Sequence, residues 1–190
     1  SYEFVWWYES WAEEDYDFWL DRTKDLTLYA TWIEVESIED SDVAKLAIWQ
    51  KVNSVFKTLV EWTLVPYSAY NDSIHHIMKS DTLPEWVNKK LISAPESATP
   101  IFAWYDENDN TIYYYTKAST IKMNEDSSNL FYSLHWLLNI DLSSFVTTGV
   151  TNIWYMFNWC SSLTWLDLSS FDTSSVRDMP GLFAWCSNLK

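Results

Sequence analysis

Apolar positions in the last third of the chain recur with a fixed period. Phe131, Phe157 and Phe183 stand 26 residues apart, as do Leu137, Leu163 and Leu189. The pairs Ile140/Leu166, Leu142/Leu168, Phe145/Phe171 and Val150/Val176 keep the same offset, and so do the polar Asp141 and Asp167. Whole phrases return: IDLSSF (140–145) as LDLSSF (166–171), and FNWCSSL (157–163) as FAWCSNL (183–189). A period of this size marks stacked units, each too small to bury its apolar face alone. Alternation predicts one short strand per unit. TIKMN (120–124) turns Ile121 and Met123 inward, NIDLS (139–143) turns Ile140 and Leu142 inward, and WLDLS (165–169) turns Leu166 and Leu168 inward. A Ser/Thr-rich turn follows each strand (145–153 and 171–179). The chain then returns through Met156-Phe157 or Leu182-Phe183, read as a short helical turn. Stacking places successive strands in a parallel ladder.

Upstream the pattern changes. LTLYATW (26–32) alternates as a strand, and EVESIEDS (34–41) reads as a polar linker. Ala44, Ile48, Val52, Val55, Phe56 and Leu59 recur at steps of three and four, predicting a helix over about 41–60 capped by Asp40 or Ser41. SIHHIMKS (73–80) predicts a short strand, 81–90 a turn around Pro84, and 93–100 a loop with two prolines. IFAWY (101–105) and TIYYYTK (111–117) flank the turn formers DENDN (106–110), which predicts a hairpin.

The chain has 190 residues, 48% of them apolar and 18% aromatic, and carries a net charge of −15. That charge argues against nucleic acid, whose phosphates demand Lys and Arg, and against an anionic membrane surface. No apolar run has the length of a membrane span. The sequence starts at Ser1 without Met and stops at Lys190 within a repeat, so it reads as an internal fragment, with any export signal or anchor outside it. Glycine occurs only twice and tryptophan 14 times, whereas average usage would supply roughly 13 glycines. Trp6, Trp11, Trp19, Trp86, Trp159 and Trp185 stand where a turn or close contact is expected. UGA specifies glycine in some bacterial lineages and tryptophan in others, so many of these positions are expected to be glycine in the cell; the alternative is a truly Trp-rich chain with these rings stacked along its surface.

At this point the residues carry a resemblance. Met156, Phe157, Cys160, Leu163, Leu166, Asp167, Leu168, Phe171, Asp172, Thr173, Val176, Met179 and Phe183, read with glycine at 159 and 185, resemble the BspA-type leucine-rich repeat of bacterial surface proteins. Residues 100–128 resemble the segment that leads into such repeats. Phe4, Trp7, Tyr8, Tyr16, Phe18, Leu26, Leu28, Tyr29, Ala30 and Trp32 resemble the back half of a Listeria–Bacteroides (internalin B-type) repeat. The pattern is broken at Val146 and Gly149, and the first unit has Ser133-Leu134-His135-Trp136 where later ones have Trp-Cys-Ser. The resemblance implies an α+β chain. It would be a leucine-rich-repeat-type solenoid with a parallel strand ladder, preceded by a hairpin cap, a helical segment and half of a β-grasp-like repeat. The implied divisions are 1–33 (partial β-grasp-like repeat), 34–99 (linker and helix-containing segment), 100–128 (hairpin and lead-in cap) and 129–190 (repeats). It further implies adhesion or protein binding at a bacterial cell surface or after secretion, with host or bacterial surface proteins or matrix components as partners.

The expected binding face is the outward side of the predicted strands: Asn139, Asp141, Ser143, Trp165, Asp167 and Ser169. Trp165 is the strongest anchor among them, since large aromatics dominate interface energy. A glycosidase reading of Asp141 and Asp167 needs carboxyl groups about 5 Å or about 6.5–9.5 Å apart. Adjacent strands about 4.8 Å apart give that spacing without any catalytic demand. No catalytic residues, cofactor or metal ligands are therefore assigned, and the chain is expected not to be an enzyme. His75 and His76 are adjacent, so on a strand they face opposite sides. The carboxylates of 106–110 lack the glycine and distal glutamate of a calcium loop and read as a solvated turn. Cys160 and Cys186 occupy the same slot of neighbouring units, with Leu134 one unit earlier, and no zinc spacing surrounds them. The alternative to adhesion is a non-catalytic spacer or targeting module of a larger surface enzyme.

Overall fold

The computed structural model describes residues 2–9, 28–34, 42–61 and 63–190. The chain divides into two compact units, Ser1–Ile38 and Glu39–Lys190. In the first, β1 (Tyr2–Glu9) and β2 (Leu28–Glu34) form an antiparallel ribbon, Tyr2 opposite Glu34 and Glu9 opposite Leu28, with an irregular register between Phe4 and Trp6. The predicted strand thus runs two residues further than 26–32 suggested. The linker residues 35–41, both expected helix caps, and Trp11, Tyr16, Phe18 and Trp19 lie outside the described residues.

The second unit holds one helix and eight strands among its described residues: β3 (Val43–Lys45), α1 (Trp49–Glu61), β4 (His76–Lys79), β5 (Lys89–Leu91), β6 (Phe102–Asp106), β7 (Thr111–Tyr115), β8 (Thr120–Lys122), β9 (Asn139–Ile140) and β10 (Phe145–Val146). Strands β10, β8 and β3 form a parallel sheet in that order. Strands β5, β6, β7, β4 and β9 form a mixed sheet, antiparallel on the β5–β6–β7 side and parallel across β7–β4–β9. One apolar core runs from Ala44, Val52 and Phe56 through Ile77, Ile112 and Tyr114 to Phe131, Leu137, Phe157 and Leu163.

This architecture corrects the expected fold class. The chain is mostly sheet with one short helix, and the described residues do not form a leucine-rich-repeat-type solenoid with a parallel strand ladder. Strand β9 pairs with β4, which lies more than 60 residues earlier, and residues 165–169 form no strand at all. The reason lies in the repeated aspartates. Asp141 Oδ1 accepts the Ser143 amide at 2.9 Å, and Asp167 Oδ1 accepts the Ser169 amide at 2.9 Å. Each aspartate therefore diverts a backbone donor into a local turn, just after β9 in the case of Asp141 and where no strand forms in the case of Asp167.

The repeats stack through their return segments instead. The amides of Asn129, Phe131 and Ser133 donate to the carbonyls of Trp154, Met156 and Asn158 at 2.8, 2.9 and 2.9 Å. The amides of Tyr155, Phe157 and Trp159 then donate to Pro180, Leu182 and Ala184 at 3.1, 3.1 and 3.0 Å. Phe131, Phe157 and Phe183 stack along the same line, with ring centroids 5.3 and 5.7 Å apart. These segments are turns and not the expected helical turns. Residues 129, 155 and 181 have φ of 52°, 52° and 61°, and residues 133, 159 and 185 have 64°, 65° and 61°. A left-handed residue at two places per unit is incompatible with a continuing right-handed helix.

The helix is also shorter than predicted. Ala44 belongs to β3, opposite Ile121, and Ile48 is 51% exposed. Both fit the helical period by coincidence, because residues 43–45 pair with β8. The buried face of α1 carries Trp49, Val52, Phe56 and Leu59 together with two polar residues, Asn53 and Lys57.

Candidate functional site

The six residues expected to form a binding face come together. Asn139, Asp141, Ser143, Trp165, Asp167 and Ser169, with Ser170, line an open groove of about 340 Å³ floored by Ile140 and Leu142. Its first wall is fixed by β4: the Asp141 amide donates to the Ile77 carbonyl at 2.8 Å, and the Tyr114 hydroxyl donates to the Asp141 carbonyl at 3.0 Å. Lys79 Nζ donates to Ser144 Oγ at 2.8 Å just beyond that wall. In the second wall, 165–170, the partly buried Leu166 and Leu168 pack on the core. Trp165 is 63% exposed. Hydrogen bonds from the Ser169 hydroxyl and amide hold the Asp167 carboxyl below its ordinary range. The groove is thus polar and anionic at its rim, apolar at its floor, and marked by one free aromatic ring.

Other chemistry-bearing residues have structural employment. His75 stacks on Trp136 at 5.9 Å, while His76 begins β4. In the β6–β7 turn, Asp106 Oδ1 accepts the Asn108 amide at 3.0 Å, and Asp109 accepts the Thr111 amide at 3.1 Å and the Tyr113 hydroxyl at 2.8 Å. Cys160 and Cys186 are free thiols whose Sγ atoms donate to the carbonyls of Phe131 and Phe157 at 3.2 and 2.9 Å. Burial pushes both thiols up, away from the reactive thiolate. Among the described residues, no group of three or more His, Cys, Asp or Glu is placed to hold a metal ion.

Two features escaped the sequence reading. One is the pair Asn53 and Lys57, which closes the carbonyl end of the stack. Asn53 Nδ2 donates to the carbonyls of Asn129, Leu130 and Tyr132 at 3.3, 3.1 and 3.1 Å. Lys57 Nζ donates to Tyr132 at 3.0 Å and also to the Tyr67 carbonyl. Their spacing of four residues, which places both on one helix face, was the available signal. The other is the continuation of the stacked Trp159–Trp185 pair into an aromatic row through His135 and Tyr70, with successive centroids from Tyr70 to Trp185 4.6, 5.7 and 4.8 Å apart.

Residues 101–190 match the model of a family described as Mycoplasma protein of unknown function, DUF285. No curated protein and no solved structure matches the chain. The resemblances to the BspA-type leucine-rich repeat and to the Listeria–Bacteroides repeat are accordingly corrected. The match that exists is to this one family, and no leucine-rich or internalin-type repeat family is found.

Proposed function

We propose that this chain is a non-catalytic binding module of a surface-associated repeat protein, and that it engages a protein partner through the groove between 139–143 and 165–170. The observation that carries this reading is the convergence of six outward residues around an exposed tryptophan on an apolar floor. A few large aromatics commonly supply most of the energy at such a surface. The family match over 101–190 and the presence of repeats support a surface-associated repeat protein.

Partners would be surface proteins of a host or of other bacteria, or matrix components, and the site of action the cell surface or its surroundings. Surface plasmon resonance on immobilised matrix proteins and on bacterial surface-protein extract tests this. Trp165→Ala should weaken capture about tenfold or more. Asp141→Asn and Asp167→Asn together keep the turn-forming Oδ1 acceptors and remove only the charge, so they separate electrostatic recognition from folding. Unchanged capture by both variants would leave the chain a spacer or targeting module.

A further inference from the structure

Strand β9 ends the five-stranded sheet and has a strand partner on one side only. The Asn139 and Asp141 amides turn toward β4 and donate to the carbonyls of His75 and Ile77 at 3.4 and 2.8 Å. Successive residues of a strand direct their backbone groups to opposite sides, so the Ile140 amide and carbonyl turn away from β4, toward the groove. Among the described residues neither has a hydrogen-bond partner, and no backbone hydrogen bond joins 139–142 to 165–167 across the groove. An unpaired strand edge is a template for another strand. This one opens on about 340 Å³ of space whose lining carries two carboxylates, Asp141 and Asp167, and no cation. Lys79 lies beyond the wall, where it donates to Ser144.

Resting on the reading of this groove as a protein-binding site, we infer that the free edge of β9 takes up an extended, lysine- or arginine-bearing segment of the partner as an added strand. The segment's backbone pairs with Ile140, and its basic side chains meet Asp141, Asp167 and the ring of Trp165. Three observations select this occupant. Ile140 offers one donor and one acceptor on the same side, which an extended backbone matches and a helix, with its own groups paired internally, does not. The rim is anionic in a chain of net charge −15, so a cationic segment is attracted and an acidic one repelled. Trp165 is exposed at the facing wall, where its ring can receive a cation. A second copy of this chain fits poorly, because it brings the same negative charge and the same two aspartates to the same rim. Strand β9 is only two residues long, so backbone pairing sets the register while charge and the tryptophan supply much of the affinity.

Three capped heptapeptides test the proposal on the whole chain. One alternates valine and lysine, the second is the same peptide N-methylated at its three central residues, and the third carries glutamate for lysine. Hydrogen exchange at the Ile140 amide should slow by about tenfold or more when the lysine peptide is bound. Fluorescence anisotropy should find the N-methylated and glutamate peptides weaker by about tenfold or more. Asp141→Asn and Asp167→Asn together should weaken the lysine peptide by about tenfold. Failure of the lysine peptide to bind, binding that leaves Ile140 exchange unchanged, or equal binding of the N-methylated peptide would overturn the proposal. Protection of Ile140 without peptide, growing with protein concentration, would assign the edge to a second copy and overturn it too. If Trp165→Ala still weakens capture of surface or matrix proteins, such a result removes strand addition alone. Capture that is indifferent to Trp165→Ala removes the groove reading itself, and this proposal with it.

Discussion

At the scale of single residues, the left-handed positions are the most informative. Among the described tryptophans, only Trp159 and Trp185 have positive φ. An L-residue with a Cβ pays roughly 1–2 kcal/mol there and glycine pays almost nothing. The glycine deficit thus acquires a location: the backbone favours glycine at 159 and 185, and no left-handed backbone asks for it at Trp86 or Trp165. Mass spectrometry of the protein from its own cells should find glycine at 159 and 185 if UGA is read that way there. A thermodynamic counterpart is available in the chain as it stands. Trp159→Gly relieves the backbone while giving up ring contacts worth about 0.5–1.5 kcal/mol, so urea denaturation should place it within about 1 kcal/mol of the parent. Trp159→Val loses the contacts and keeps the strain, and should cost about 2 kcal/mol or more. Gly181, at φ 61°, is already glycine, and a Cβ there would meet Tyr155 Cε1 at 2.2 Å.

At the scale of elements, α1 acts as the lid on the carbonyl end of the stack, and Lys57 is its critical member. Burial strips its hydration and lowers its ammonium to about 7 from an ordinary 10.5. Burial also raises the neighbouring Tyr132 phenol and Cys160 thiol. Between pH 7 and 10.5 the unfolded chain holds the proton that the folded chain releases. Stability therefore rises with pH across that window, by at most about 1.4 kcal/mol per pH unit, and the dependence vanishes below it. Lys57→Met should abolish this component of the slope between pH 7 and 9 in denaturant titrations. It should also cost about 1–3 kcal/mol, because two carbonyls lose a buried donor. The elements differ in how far the sequence disclosed them. The β6–β7 hairpin was legible, since alternating segments flank a compact run of turn formers. The start of α1 was not, because Ala44 and Ile48 satisfy the helical period while residues 43–45 are claimed by β8. The pairing of β9 with β4 was equally hidden: strand partners are chosen by tertiary packing, and neither local pattern names the other. The polar pair Asn53 and Lys57 sat in view on an apolar face without any local reason to expect carbonyls above it.

At the scale of the molecule, the second unit is a mixed sheet and a parallel sheet that share one core with a short stack of repeats. The groove sits where β9, anchored by β4, meets the 165–170 segment. Its residues were legible because period-two alternation marks outward positions whether or not a strand forms around them. What was not legible was their support, since one wall is sheet and the other is a turn built on Asp167. Protein association buries both walls at once, so contact should be recorded on 139–143 and 165–170 together. The most direct measurement is hydroxyl-radical footprinting of the chain with and without a captured surface or matrix protein. The account predicts that oxidation of Trp165, which is exposed, falls on binding, while that of Trp86, which is 94% exposed, is unchanged. Protection at Trp86 or along the aromatic row with Trp165 still fully labelled would contradict it.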